Sequence, residues 1–272
     1  MDRRLSVYSL PSAVAPAKLA GGAVVVIDVL RASTTIIHAL DAGATEVLPC
    51  LEVQDAIATA AKMPASTYVL GGERGGLPIE GFELGNSPEE YSPGSVGGRA
   101  VIFTTTNGTR AMMKCRDAAR VYIGAFVNAT AVLERLIGQS QVHLLCAGSA
   151  GQVTRDDILL AGLLVTRLEG RGDMGYRLND EAVAARDDWV STFGAPLAAG
   201  AERIEPALLA AELRKSMAGQ KLVAIGMEHG ILAAAQIDRF RSVPELDPRT
   251  LRIRLPSREG GGSPRRHGGH GV

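Results

Sequence analysis

The sequence predicts an α/β fold in which a mixed, largely parallel sheet is layered with helices as a three-layer α/β/α arrangement. Three observations predict it. Short apolar segments alternate with helical patterns over the first 150 residues, which is typical of βαβ units. These segments are rich in Val, Ile and Leu and rarely alternate with polar residues, as expected for strands covered on both faces. Polar clusters follow several segments, where open α/β sheets bind ligands.

The individual elements follow from the same patterns. The N-terminal half contains the predicted strands Leu5–Ser9, Ala23–Val29, Thr45–Pro49, Thr67–Leu70, Arg99–Thr104, Arg120–Gly124 and Gln141–Cys146. Helical patterns between them predict helices at Thr34–Asp41, Gln54–Lys62, Thr109–Arg116 and Thr130–Ile137. The second half is more helical, with helices predicted at Asp156–Glu169, Asp180–Ser191, Pro206–Met217 and Ile231–Phe240. Short strands are predicted at Leu222–Ile225 and Thr250–Arg254.

The amino-acid composition limits the classes of protein to which this chain can belong. The chain has 272 residues and 29 cationic against 29 acidic side chains, so its formal net charge is zero. A neutral protein lacks the field that attracts nucleic acid or an anionic membrane, so neither is an expected partner. The sequence shows no signal-peptide pattern and no apolar run of about 18 residues, so we expect a cytoplasmic protein. The three cysteines are isolated from one another, and we expect small buried side chains rather than a disulfide framework.

Domain organisation is only weakly marked. We expect a single domain over residues 1–257, with a boundary between two lobes near 148–152 as the alternative. Residues 258–272 are rich in Gly, Ser, Arg and His, and such a segment has too little to bury, so we expect a disordered tail. Whether the chain forms a homodimer stays open.

The segment Gly71–Pro88 is the most informative part of the chain. Its glycine content predicts an irregular loop rather than a helix or a strand, and it allows backbone N–H groups to approach a ligand closely. Glu73, Arg74 and Asn86 add a carboxylate, a fork of cationic donors and an amide. This combination suits a phosphate group together with the divalent cation that neutralises it.

A second polar cluster begins at Asp28, at the end of a predicted strand. Asp28 and Arg31 indicate a metal-binding or nucleophilic carboxylate beside a phosphate clamp. An aspartyl-phosphate route is weakened because the DxDx[T/V] pattern of haloacid-dehalogenase-type phosphatases needs a second Asp, where this chain has Leu30. The alternative is a turn in which Asp28 pairs with Arg31 and Ser33 caps the next helix.

The third cluster follows the predicted strand Arg99–Thr104 and precedes a helix. Its hydroxyl groups, amide and glycine can bind phosphoryl oxygens without adding charge. The candidate binding residues are Thr105, Thr106, Asn107, Gly108 and Thr109. The alternative is ordinary capping of the helix by Asn107.

Two further candidates follow the predicted strand Gln141–Cys146. Ser149 lies in a glycine-rich turn and is a candidate substrate-binding residue. Asp157 either completes a carboxylate set with Asp28 and Glu73 around Mg²⁺ or stabilises the start of its own helix. The sequence leaves this choice open.

The motifs IDVLRASTT, GGERGGLPIEGFELGNSP and TTTNGTRA, in this order, resemble those of the 2-phosphosulfolactate phosphatase (ComB-type) family. The resemblance extends over about residues 5–250. It implies a Mg²⁺-dependent acid phosphatase that converts (2R)-2-phospho-3-sulfolactate to 3-sulfolactate and phosphate, a step in coenzyme M biosynthesis. By motif position it implies a site made of Asp28, Arg31, Glu73, Arg74, Asn86, Thr105, Asn107, Gly108 and Asp157.

The sequence departs from the family pattern at two places. Asp156 stands where Glu is usual, and the segment 227–230 stands where the family tends to have an acidic pair. Two alternatives to the implied activity follow: a phosphatase for another small phospho-acid, and a non-catalytic anion-binding protein. In each case the expected ligand is a small anionic molecule.

Overall fold

The structure is a computed structural model that describes residues 3–170, 175–198 and 204–256. The strands are β1 (Arg3–Tyr8), β2 (Ala23–Ile27), β3 (Glu46–Cys50), β4 (Tyr68–Arg74), β5 (Leu77–Pro78), β6 (Ala100–Thr104), β7 (Arg120–Gly124), β8 (Gln141–Cys146), β9 (Tyr176–Leu178), β10 (Glu245–Asp247) and β11 (Arg252–Arg254). The α-helices are α1 (Ala32–Asp41), α2 (Val53–Ala60), α3 (Pro93–Val96), α4 (Gly108–Met113), α5 (Ala129–Leu136), α6 (Arg155–Glu169), α7 (Asp180–Ala198), α8 (Pro206–Lys215), α9 (Met217–Ala224) and α10 (His229–Ala234).

All these strands form one sheet in the order β5-β4-β6-β3-β11-β10-β7-β2-β8-β1-β9. β4, β6 and β3 form one parallel group, and β7, β2, β8, β1 and β9 form a second. The antiparallel β10–β11 hairpin joins the two groups, because β10 pairs with β7 and β11 pairs with β3. Three antiparallel pairings therefore separate β3 from β7, and the two groups run in opposite directions.

Helices cover both faces of the sheet. In β2, Val24 and Val26 belong to a core cluster that includes Ile36 of α1 and side chains of both strand groups. Val25 and Ile27, which point to the other face, belong to a cluster with α5, α6 and α7. α2 covers β3 and β6 through a smaller cluster. The predicted fold class, a largely parallel sheet layered with helices, is thus confirmed.

The predicted strands and helices of the N-terminal half all occur, with ends shifted by a few residues, but the loop predicted from Gly71 is wrong at its start. β4 continues through Gly71 and Gly72 to Arg74. A Cβ at Gly71 would overlap the hydroxyl of Tyr91, and one at Gly72 would overlap the backbone of Thr104 in the neighbouring strand. Glycine here permits a close approach inside a sheet rather than ending the strand.

In the second half, the strand predicted at Leu222–Ile225 is wrong, because most of this segment belongs to α9. The side chain of Ser216 accepts a hydrogen bond from the Gly219 amide and caps this helix. A short apolar run does not distinguish a strand from a buried helix face. The helix predicted at Ile231–Phe240 ends early, at Ala234.

Other expectations have mixed outcomes. The three cysteines are free and buried, as predicted. In the described residues, no helix combines the length and the hydropathy needed to cross a membrane. The tail predicted over 258–272 lies outside the described residues, and the single domain and the lobe boundary near 148–152 stay predictions.

Candidate active site

A small cavity of about 60 Å³ lies where strands of both parallel groups end. The lining residues are Asp28, Leu30 and Arg31 after β2, Glu73 and Gly76 around the end of β4, Asn86 from the following loop, Thr105, Thr106 and Asn107 after β6, Ser149 and Ala150 after β8, and Ala218, Lys221 and Leu222 of α9. The three polar clusters of the sequence therefore meet at one place, although the sheet segments that carry them run in opposite directions.

Asp28 is held by the turn that leads from β2 into α1. Its backbone N–H donates to Ser33 Oγ at 3.0 Å, and its Oδ1 accepts from the Ala32 amide at 3.1 Å. Burial raises the pKa of Asp28 to about 7, helped by the charges of Asp156 and Glu73 and opposed by the Ala32 hydrogen bond. The carboxylate is thus positioned by α1 in a site where negative charge is in excess.

Arg31 is buried in the same turn, directly after a cis peptide bond from Leu30. Its Nη1 donates to Ser87 Oγ at 3.0 Å and its Nη2 to the Gly76 carbonyl at 2.8 Å. Both acceptors are uncharged, and no carboxylate of the described residues forms an ion pair with it. Burial lowers the pKa of Arg31, whereas Glu73 and other acidic groups raise it. A buried guanidinium without a paired carboxylate suits an anionic ligand.

Glu73 connects two of the polar segments. Its Oε1 accepts from the Thr106 amide at 2.7 Å, and its Oε2 accepts from the Gly76 amide at 2.5 Å. Arg74 does not line the cavity; it donates to Thr104 Oγ1 and to the Leu51 carbonyl, each at 2.8 Å. Glu73 and Arg74 are consecutive residues of β4, and consecutive side chains of a strand point to opposite faces.

Two side-chain oxygens of the cavity wall have no hydrogen-bond partner in the part of the chain that the structure describes. Asn86 Oδ1 and Thr106 Oγ1 are buried without a hydrogen bond among the described residues. Thr105 also lines the cavity, and its hydroxyl lies 3.3 Å from that of Thr109, which is buried behind it. Because buried polar atoms rarely lack partners, these two unpaired oxygens indicate a place for a polar ligand.

The turn after β8 completes the wall. Asn107, at the N-cap position of α4, uses its Oδ1 to accept from the Ala150 amide at 3.1 Å rather than to cap the helix. Ser149 and Gln152 exchange backbone hydrogen bonds of 2.9 Å. Asn107 therefore links the third polar cluster to the turn that carries Ser149.

Asp157 lies beside this site but does not line the cavity. Its Oδ1 accepts from the Val29 amide at 2.8 Å and its Oδ2 from the Gly148 amide at 3.0 Å, so it ties the turn after β2 to the turn after β8. Burial raises the pKa of Asp157 well above its usual value, and the charges of Asp156 and Asp28 raise it further. Asp157 also lies in the first turn of α6, where its charge would stabilise the start of the helix, and its role as a metal ligand stays a prediction.

Gly108 begins α4 directly beside Asp28. A Cβ placed on Gly108 would lie 2.8 Å from Asp28 Oδ2 and 2.8 Å from Ala32 Cβ. Real Cβ atoms do not approach neighbours this closely, so only glycine leaves Asp28 in its place. This explains why a polar strand end is followed by glycine here.

We expect Gly108→Ala to lower about a hundredfold the phosphatase activity that the family resemblance implies, because the added methyl group displaces the Asp28 carboxylate. Steady-state kinetics checks this, with circular dichroism to verify folding. Gly94→Ala is the matched control, since a Cβ there meets only Ser92 Oγ at 3.8 Å. A Gly108→Ala enzyme as fast as the Gly94→Ala control would contradict the prediction.

Sequence reasoning missed the contribution of α9 to the wall. Ala218, Lys221 and Leu222 lie at spacings of three and four residues, which places them on one face of the helix. These three residues are small, cationic and apolar, and this combination at helical spacing does not by itself indicate a binding site. Their contribution is recognised only from the packing of α9 against the strand ends.

The described residues contain no group of three or more His, Cys, Asp or Glu side chains arranged to hold a metal ion. Two carboxylates, those of Asp28 and Glu73, do line the cavity. One or two carboxylates, with water and substrate oxygens as further ligands, are what Mg²⁺ usually takes. Burial, helped by the charges of Asp156 and Glu73, raises the pKa of Asp28 to about 7, and a bound cation would favour the charged carboxylate. The donor set therefore fits a hard divalent cation held partly by its ligand.

A layered α/β fold with a small, anion-compatible cavity at its strand ends is typical of α/β enzymes that act on small molecules. The chain belongs to the 2-phosphosulpholactate phosphatase family, whose sequence model matches residues 8–249. The family resemblance seen in the three motifs is thus confirmed.

Relatives in this family are similar over most of their length. A probable 2-phosphosulfolactate phosphatase of Symbiobacterium thermophilum is 39% identical over 230 residues, which are 84% of this chain and 92% of the relative. A protein of the same name from Deinococcus radiodurans is 38% identical and covers 82% of this chain and 87% of its own. One from Synechococcus sp. (strain CC9605) is 35% identical and covers 92% of this chain and 99% of its own.

Proposed function

We propose that this protein hydrolyses the phosphate ester of (2R)-2-phospho-3-sulfolactate to 3-sulfolactate and inorganic phosphate. One observation carries the proposal: Arg31 is buried without a carboxylate partner among the described residues, in a cavity whose wall also holds Asp28 and Glu73. The site thus combines a guanidinium group, two carboxylates and unpaired amide and hydroxyl oxygens. This combination suits a phosphoryl group that binds together with a divalent cation. The names of the relatives supply the substrate.

In this proposal Arg31 binds two phosphoryl oxygens with the N–H groups that Ser87 and Gly76 leave free. The unpaired Thr106 hydroxyl donates to a further phosphoryl oxygen, and the unpaired Asn86 Oδ1, an acceptor, suits the divalent cation or a water molecule bound to it. The phosphoryl group is thereby oriented for attack along the axis of the breaking P–O bond, and its charge is stabilised by fixed groups.

Asp28 and Glu73 are the residues that would hold Mg²⁺. When bound, the ion neutralises phosphoryl charge that Arg31 alone does not balance. Two chemical routes stay open: Asp28 helps to orient a water molecule that attacks phosphorus, or Asp28 attacks it and forms a phosphoenzyme. Trapping an acyl phosphate during turnover separates them.

The experiment that tests the proposed function measures phosphate release from (2R)-2-phospho-3-sulfolactate and from a panel of other phosphorylated hydroxy acids. The highest kcat/KM is expected for the sulfonated substrate. A higher value for another phospho-acid would identify a different phosphatase, and binding without any product would identify an anion-binding protein. The cytoplasmic location and the homodimer stay predictions.

We expect that removal of divalent cations with a chelator lowers the rate of phosphate release about a hundredfold or more, because the two cavity carboxylates then face the anionic ester uncompensated. Excess Mg²⁺ should restore the rate, whereas Na⁺ at the same ionic strength should not. Kinetics before and after chelation checks this. Full turnover in metal-free buffer would eliminate the Mg²⁺ site.

A further inference from the structure

Lys221 is a cation of the cavity wall that no sequence motif marks. Among the described residues that line the cavity, the cationic side chains are Arg31 and Lys221. Arg31 is buried at the deep end, 4% exposed, whereas Lys221 is exposed. No carboxylate of the described part of the chain forms an ion pair with Lys221, so its ammonium group is available to a ligand.

The two cations approach the same residue, Gly76. The Gly76 carbonyl accepts a hydrogen bond from Arg31 Nη2 at 2.8 Å. Lys221 Cε lies 3.5 Å from the position that a Cβ of Gly76 would take. Both cations therefore lie next to Gly76 in the wall of the same cavity, where one small ligand can contact both.

The charge of the substrate makes a second cation necessary. Phosphosulfolactate carries a phosphate, a carboxylate and a sulfonate, and the cavity wall adds the carboxylates of Asp28 and Glu73. Arg31 and a divalent cation at the phosphoryl group leave the outer anionic groups without a counter-charge. An exposed lysine binds such a group as a mobile point charge.

The covalent structure of the substrate indicates which group reaches Lys221. The phosphate and the carboxylate are attached to the same carbon, and the sulfonate is attached to the next one. The sulfonate is therefore the anionic group furthest from phosphorus along the bonds. When the phosphoryl group lies at the buried Arg31, the sulfonate is the group nearest the exposed end of the cavity.

We propose that Lys221 determines specificity for the sulfonate: it binds the sulfonate group of the substrate at the open end of the cavity, while Ala218 and Leu222 contact the carbon that carries it. This inference rests on the proposed function, because it takes its substrate from there. It assigns to α9 the role of selecting the substrate, and to the strand ends the role of binding the phosphoryl group.

The test compares Lys221→Met with wild type on two substrates, 2-phospho-3-sulfolactate and phospholactate, which lacks the sulfonate. We expect Lys221→Met to raise KM for the sulfonated substrate about tenfold, with kcat within about threefold of wild type, and to leave the kinetics of phospholactate unchanged. Lys221→Arg should retain a KM within about threefold of wild type, because it keeps the charge. Lys62→Met, which removes an exposed lysine outside the cavity, should change neither substrate.

Direct binding of the product separates this inference from the proposed function. Calorimetry with 3-sulfolactate should give a Kd about tenfold weaker for Lys221→Met than for wild type. Equal effects of Lys221→Met on both phosphorylated substrates, or none on either, would overturn the inference while leaving the phosphatase activity intact. If wild type releases no phosphate from the sulfonated substrate, the proposed function fails, and unchanged 3-sulfolactate binding by Lys221→Met would then overturn the inference as well.

Discussion

Replacing Asp28 by Asn should lower kcat for phosphate release about a thousandfold or more without unfolding the protein. The carboxylate lines the cavity and accepts a hydrogen bond from the Ala32 amide, and the Asp28 backbone N–H donates to Ser33 Oγ, so the charge is held where it acts directly on the reacting group. Asn keeps an oxygen that can accept from the Ala32 amide. The substitution therefore removes the charge and leaves the geometry of the turn in place.

The stability of this variant should depend on pH in a defined direction. The pKa of Asp28 is raised in the folded protein from 3.8 to about 7, so the folded state binds more protons than the unfolded state between these values. Wild type is therefore destabilised as pH rises through about 7, whereas Asp28→Asn is not. In chelator, we expect the variant to be more stable by about 1–3 kcal/mol at pH 8 and equally stable near pH 4.

Thermal unfolding at the two pH values and steady-state kinetics check both parts of this prediction. Asp117→Asn is the control, because Asp117 is exposed and does not line the cavity. If the protein only binds its ligand, Asp28→Asn should keep most of the wild-type affinity, and neither protein should release phosphate. An Asp28→Asn variant with wild-type kcat would remove Asp28 from the reaction.

The part of the site that could be predicted from the sequence is the part built from strand ends. Asp28 and Thr105 each directly follow a buried apolar strand, and the carboxyl ends of strands are where α/β sheets bind ligands. The sequence did not predict that these two ends meet although β2 and β6 belong to groups that run in opposite directions. Asp28 was identifiable because a charged residue after a strand like β2 has few structural reasons to be there. Its contact with Gly108, in contrast, depends on how α4 packs beside α1.

The sequence did not predict the direction of the Arg74 side chain, because that direction depends on the local backbone conformation. Arg74 is adjacent to Glu73 in the sequence, and a flexible loop could bring both to one ligand. Because β4 continues through Gly72 instead, Arg74 points away and binds the Leu51 carbonyl and Thr104. The glycines that indicated a loop are required by the close approach of the neighbouring strand and of Tyr91.

The sequence did not indicate that Lys221, which is far along the chain from the polar clusters, contributes to the cavity wall. Lys221 approaches the Gly76 turn across more than a hundred residues of sequence, and it does so from a helix whose apolar run resembles a strand. Nothing in the local pattern relates it to Arg31. Tertiary packing of α9 alone brings the second cation to the cavity.

Arg31 is the residue whose replacement should have the second large effect on activity. Two of its terminal nitrogens bind Ser87 and the Gly76 carbonyl and fix the plane of the guanidinium. The remaining N–H groups can then bind two phosphoryl oxygens at once. A lysine has three donors on one nitrogen and cannot hold both protein partners while forming the same paired contacts.

We expect Arg31→Lys to lower kcat/KM about a hundredfold and Arg31→Met about a thousandfold or more, because the transition-state charge loses its fixed counter-charge. Calorimetry with inorganic phosphate should show weaker binding in the same order. Arg110→Lys, a change of an exposed arginine outside the cavity lining, is the matched control. If Arg31→Lys stays within about threefold of wild type, the guanidinium fork is not what binds the phosphoryl group, and the assignment of the deep end of the cavity to phosphate fails.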